Sequence, residues 1–157
     1  MLFKFKDRPG TINSVQFKGL DGNEHKTRIQ VDFDLEDEDL RNPEFFLEEE
    51  RQAIGSLVAL SRSRKEEDGP NRYKLGIKRE CESGIYNFGT GKSKVTLRAK
   101  PVLQPEVRIV EGDPAFRVTL ETKSSAKELG KVAGLNGRTL MITAAALQLE
   151  LLESETA

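Results

Sequence analysis

The chain is poor in the side chains that most often do chemistry: among 157 residues it has one cysteine, Cys81, and one histidine, His25. A single cysteine excludes an intramolecular disulfide and any zinc site built from several thiolates. It also suits a reducing, cytoplasmic compartment. Cys81 lies between Glu80 and Glu82, whose carboxylates disfavour the thiolate, so an inert small hydrophobe is expected there. His25 stands at the shoulder of a turn signature on a polar edge, with no nucleophile elbow near it, and a solvated residue is expected. Long apolar runs are missing too. The opening MLFKFKDRPG offers no stretch suited to a signal peptide, and no segment approaches a membrane span. Leu2 to Lys6 alternate as a strand would, so the fold is expected to begin at residue 1. These absences lead to a cytoplasmic, non-enzymatic protein without metal or cofactor as the expectation. Carboxylate-only chemistry is the one catalytic route left open.

Two motifs come close to known sites and fail. Gly89-Thr90-Gly91-Lys92-Ser93 resembles the end of a phosphate-binding P-loop, but that loop needs a glycine five residues before Gly91, where Tyr86 stands. A P-loop also hands over to a helix, whereas residues 92–100 alternate as a strand; a hairpin turn is the better reading. Asp32-x-Asp34-x-Glu36 places three carboxylates on one strand face. As a calcium loop it fails, because its sixth position is Asp37 and its twelfth is Pro43; a solvated face is expected.

What the chain does have is charge, at 32% of residues against 36% hydrophobic, with a formal net charge of -1. That balance argues against a protein coated in positive charge, but the charge is segregated. Residues 72–100 hold eight Lys or Arg against two Glu, with Tyr73, Tyr86 and Phe88 interleaved; residues 32–50 hold ten Asp or Glu against one Arg.

The periodicity reads as mostly β. Runs 11–19 and 25–36 flank Leu20-Asp21-Gly22-Asn23, a hairpin signal. In the second run Thr27, Ile29, Val31, Phe33 and Leu35 share one face and Arg28, Gln30, Asp32, Asp34 and Glu36 the other, as in a strand with one wet side. Residues 37–42 read as a charged connection. Asn42-Pro43 with Glu44 resembles a helix start, and Phe46, Ile54, Leu57 and Val58 continue at helical spacing, predicting one main helix over about 43–65. Residues 66–70 break it. Beyond them, alternation predicts strands at 72–78 and 92–100, and a hairpin of Val107 and Ile109 against Phe116, Val118 and Leu120 around residues 111–114. A short second helix is predicted over about 124–133, with Ser124 or Ser125 as cap and Glu128 at capping-box distance. Leu135-Asn136-Gly137-Arg138 signals a tight turn. Residues 139–152 suit strand or helix; strand is preferred. The expected fold is therefore mainly β (α+β), an antiparallel sandwich or partly open barrel of about eight strands, in one domain spanning 1–157.

Pairing the 72–78 and 92–100 strands would set Arg72, Lys74, Lys78, Lys92, Lys94, Arg98 and Lys100 on the solvent side of a two-stranded ribbon. Seven cations in that arrangement can track a phosphate backbone. Tyr86 and Phe88 near the connecting turn could stack on unpaired bases. This makes a non-catalytic binder of single-stranded nucleic acid or another polyanion the favoured expectation, weighed against cations that only solubilise or neutralise the acidic stretch. The alternative is a protein-protein module, such as an inhibitor, a nucleic-acid mimic or an assembly subunit, that presents Asp32, Asp34, Glu36, Asp37, Glu38 and Asp39 to a protein partner.

Overall fold

The computed structural model describes residues 5–63, 71–75, 84–91, 94–103 and 105–146. Alternating apolar residues produce eight antiparallel strands: β1 (Phe5–Asp21), β2 (Glu24–Asp34), β3 (Asn71–Lys74), β4 (Gly84–Phe88), β5 (Val95–Pro101), β6 (Glu106–Val110), β7 (Asp113–Ser124) and β8 (Thr139–Ala146). Six of them close a ring in the order β2-β1-β8-β4-β5-β7, with β7 pairing back to β2, while β6 and β3 extend from β7. β5 and β6 lie end to end along one edge of β7: Pro101 pairs with Leu120 and Glu106 with Arg117. The mainly β expectation is met, and the sheet closes as a barrel instead of forming a sandwich.

The inward rows fill the barrel. Thr27, Ile29, Val31 and Phe33 of β2 are each at most 1% exposed, as their alternation predicts. They meet Phe116, Val118 and Leu120 across the β2–β7 pairing, and Phe5 stacks on Phe33 with ring centroids 4.7 Å apart. Tyr86, Phe88, Leu97 and Ile142 complete the same core.

Helices cover both the flared side and one end. α1 (Asp37–Leu40) replaces the expected charged connection, because the Asp39 carboxylate reaches back to accept from the Glu36 backbone N–H at 2.7 Å. The main helix, α2 (Glu48–Ser63), begins about five residues later than the Asn42-Pro43 signature suggests. Asn42 instead closes a turn, its Oδ1 accepting from Glu44 N–H and its carbonyl from Phe45 and Phe46 N–H. The helix start is set by Glu50, whose carboxylate accepts from Leu47 N–H at 2.8 Å and satisfies a donor that the helix cannot. α2 packs on β6 and β3 through Ile54 and Val58, both in the core. α3 (Ala126–Ala133) is the expected second helix, with Ser125 Oγ accepting from Glu128 N–H, and it packs on β2, β5 and β7 through Val132. Among the described residues no helix is long and apolar enough to cross a membrane.

The turns conform to their residues. Glu111 and Gly112 take φ of 53° and 85° between Val110 and Asp113, a two-residue reversal at positive φ that matches strand twist. At the first hairpin the loop is Gly22-Asn23, with Gly22 at φ 65° between paired Asp21 and Glu24. Gly89 at φ 92° and Gly91 at φ 69° turn the chain after β4, and β5 begins at Val95; residues 92–93 of the expected strand lie outside the described residues. β8 resolves the ambiguous segment as a strand through Ala146; residues 147–152 of that expectation lie outside the described residues.

Candidate polyanion-binding face

The expected basic ribbon does not form. β3 pairs with β6, and β5 pairs with β4 and β7, so β6 and β7 stand between the two basic strands. Register energetics explain the difference: β5 can bury Val95, Leu97 and Ala99 only against the barrel interior, and β3 finds its partner in the strand that α2 covers. Tyr86 and Phe88 are each 1% exposed, packed in the core with ring centroids 6.5 Å apart, so they offer no surface for stacking bases. Arg72 and Lys74 are exposed on β3, Lys94 just before β5, and Arg98 and Lys100 on the outer face of β5. Lys78 and Lys92 lie outside the described residues, as does Cys81.

The cations are instead distributed across cross-strand rungs. One rung runs Lys74, Glu106, Arg117, Asp32 over β3, β6, β7 and β2, alternating in sign. Opposite charges directly across a sheet attract, so this rung is electrically closed. The next outward rungs differ. Lys100 lies opposite Glu121, which lies opposite Arg28, and Lys26 lies opposite Lys123. Arg98 joins them, since its carbonyl accepts from Thr122 Oγ1 at 2.7 Å. Three neighbouring strands thus gather Lys26, Arg28, Arg98, Lys100 and Lys123 around Glu121, with Glu24 at the hairpin tip as the border. Arg28 Nε donates to Glu121 at 3.1 Å and Lys26 Nζ approaches it at 3.4 Å. Burial opposes ionisation of Glu121, but these two donors outweigh it and hold its carboxyl below the usual range. Among the described residues, Arg98 and Lys100 form no ion pair.

The acidic stretch is largely answered from within the chain. Arg117 binds Asp32 in a two-pronged pair at 2.7 and 2.9 Å, which raises the Arg117 pKa. Arg8 engages both oxygens of Asp39, and its guanidinium lies over the Phe5 ring at 5.1 Å. Arg62 reaches Asp37 at 3.0 Å. Glu36, Glu38 and Asp34 are exposed. Partial burial, then the neighbouring Asp113 and Asp32 charges, push the Asp34 carboxyl above its ordinary value. Among the described residues, Asp32, Asp37 and Asp39 are thus paired with Arg117, Arg62 and Arg8.

Two further surfaces stand out. α1 and the outer side of α2 frame a cleft of about 600 Å³, where Arg41, Arg51 and Arg62 stand over Leu40 and Val58. Asp37 and Glu48 on the same walls offset most of that positive charge. At the β1–β2 hairpin, Phe17 is 55% exposed and Leu20 66% exposed, and the Phe17 ring sits 5.3 Å from the half-buried His25. His25 is thus packed on an aromatic, not freely solvated. Sequence reasoning missed Phe17 because its alternation with Val15 reads as core; the strand outruns the barrel before reaching it. Lys26, Arg28 and Lys123 were missed because only the β2–β7 register brings positions so far apart together.

Fold and face together define a helix-capped six-stranded antiparallel barrel with one strongly basic outer surface. No protein-family model, curated protein or solved structure matches the chain.

Proposed function

We propose that this protein is a non-catalytic binder of a phosphate-backbone polyanion, held on the outer barrel face of β2, β7 and β5. The observation that carries the reading is the grouping of Lys26, Arg28, Arg98 and Lys100, with Lys123 beside them, on neighbouring strands around Glu121. Like charges so placed repel one another and cost stability, and an anionic ligand relieves that cost while releasing its own counterions. A rigid, paired sheet also holds the cations at fixed spacing, which limits the entropy lost on binding.

A gel-shift series with a short oligonucleotide tests this. Five phosphate contacts imply a slope of about −3.5 in log K against log salt for a single strand, or roughly a hundredfold loss between about 50 and 200 mM. The Arg98→Glu/Lys100→Glu double variant should lose the shift, and the Arg72→Glu/Lys74→Glu variant should keep it. Absence of any shift at the lowest salt would remove the proposal. A basic protein partner for Asp32, Asp34, Glu36, Asp37, Glu38 and Asp39 is the less supported reading, since Asp32, Asp37 and Asp39 already hold arginines.

A further inference from the structure

We infer that the cleft between α1 and α2 is a binding site for a small organic carboxylate with an apolar body, separate from the polyanion face. Glu48, Arg51, Gly55, Val58 and Arg62 recur at steps of three and four residues, so they form one stripe of α2. Leu40 and Arg41, at the end of α1, line the cleft opposite that stripe. The space of about 600 Å³ falls in the range of small-molecule pockets. Its floor is apolar, with Leu40 8% and Val58 4% exposed. Gly55 lies at the middle of the stripe. Glycine weakens a helix interior relative to alanine, and packing does not require it here, since a Cβ would meet nothing within 4 Å. What the missing side chain does is leave the centre of the cleft open.

The three arginines of the cleft are held differently. Arg62 is fixed from two sides, its Nε donating to the Gly112 carbonyl at 3.2 Å and its Nη2 to Asp37 at 3.0 Å, which leaves further N–H groups for a ligand. Arg51 Nη1 donates to the Arg41 carbonyl at 3.4 Å, while its Nε is buried and has no acceptor among the described residues. A buried donor without an acceptor costs stability, and a ligand oxygen removes that cost. The Arg41 guanidinium has no hydrogen bond or ion pair among the described residues. Asp37 answers Arg62, so Arg41 and Arg51 face Glu48 alone and the walls carry one net positive charge. A single carboxylate matches both that charge and the fork of a guanidinium. A phosphate monoester brings nearly twice the charge, and Asp37 and Glu48 repel the excess. The apolar floor then takes the hydrocarbon part of the acid.

Octanoate is the probe, followed in amide NMR spectra of the full chain. It should shift the amides of residues 37–41 and 48–62 saturably. Octanol, which lacks the charge, and octylamine, which carries the opposite one, should not, and octyl phosphate should bind more weakly than octanoate. Arg51→Gln should weaken octanoate about 10- to 150-fold, the range for one lost charge-assisted hydrogen bond. Gly55→Leu should abolish the shifts by filling the cleft, whereas Gly55→Ala should raise the melting temperature. Arg51→Gln and Gly55→Leu are each checked for a cooperative melt, and neither should alter oligonucleotide binding, because the two sites share no residue. No saturable shift at about 10 mM octanoate, or shifts that both variants retain, would overturn the inference. Tighter binding of octyl phosphate would overturn the choice of a carboxylate, and equal binding of octanol would overturn the role of the arginines.

Discussion

Arg117 and Asp32 face each other across the pairing of β2 with β7 and share two parallel hydrogen bonds, of 2.7 and 2.9 Å. The two side chains are each 18% exposed, between the regimes of a solvated pair and a fully buried one. Asp32→Asn should therefore cost about 1–2 kcal/mol, more than the ~0.2–1 kcal/mol of exposed pairs and less than the ~3–5 kcal/mol of buried ones. Urea unfolding checks this, and an unchanged midpoint would show that solvent screens the pair. The same variant should leave oligonucleotide binding intact, because the rung lies outside the basic face.

Two carboxylates should move stability in opposite directions with pH. Glu121 has its folded pKa lowered, so its contribution is present above 4.5, the value of the free group, and is lost as pH falls through the lowered value. The stability gap between wild type and Glu121→Gln should accordingly narrow below 4.5. Asp34 has its folded pKa raised, so its charged form opposes folding at neutral pH. Asp34→Asn should raise the melting temperature at pH 7, and the gain should fade as pH falls through the raised value and below 3.8. A gain that persists at pH 3 would contradict the assignment.

Phe88 and Phe17 provide a paired contrast. Phe88→Ala empties a site that is 1% exposed and should cost about 3–5 kcal/mol in thermal or urea unfolding. Phe17→Ala removes a ring that is 55% exposed and should change stability by no more than about 1 kcal/mol. Similar losses in the two variants would mean that the Phe17 ring is packed.

Gly112 holds φ at 85°, and a Cβ there would lie 2.5 Å from Arg62 Cγ. Gly112→Ala should cost about 1–2 kcal/mol from the left-handed backbone alone. It should also push Arg62 away from the Gly112 carbonyl and Asp37, which it reaches at 3.2 and 3.0 Å. A double-mutant cycle with Asp37→Asn should then show non-additivity, because the first change already breaks the contact that the second removes.

Strand identity was readable from sequence wherever one face is buried and the other wet, as at Thr27 to Leu35, because a period of two has no other cheap solution. Turn chemistry was equally clear at Gly22, Gly112 and Gly137, each at positive φ. Pairing was not readable. Nothing in residues 72–100 records that β3 joins β6 and β5 joins β7, since cross-strand partners are chosen by which faces can be buried together over long separations. The error at Tyr86 and Phe88 has the same origin: an aromatic beside a glycine turn looks the same whether its strand is an edge or the middle of a closed wall. The helix start at 48 and not 43 turned on one carboxylate, Glu50, reaching back to Leu47.

The joining of β1 to β8 has a kinetic consequence. Asp7 N–H donates to Thr143 Oγ1 across a separation of 136 residues, so the wall cannot close until nearly all of the described chain exists. Such distant pairing pays its loop entropy before any contact repays it, and barrels of this kind reach the native state in milliseconds to seconds and not microseconds. Until β8 arrives, the β1–β2 hairpin carries an open backbone edge along β1 that another chain could occupy. The irregular register between Phe5 and Arg8, with Asp7 at φ 47°, interrupts that edge where it would otherwise run straight, and so guards the nascent protein against joining the wrong neighbour.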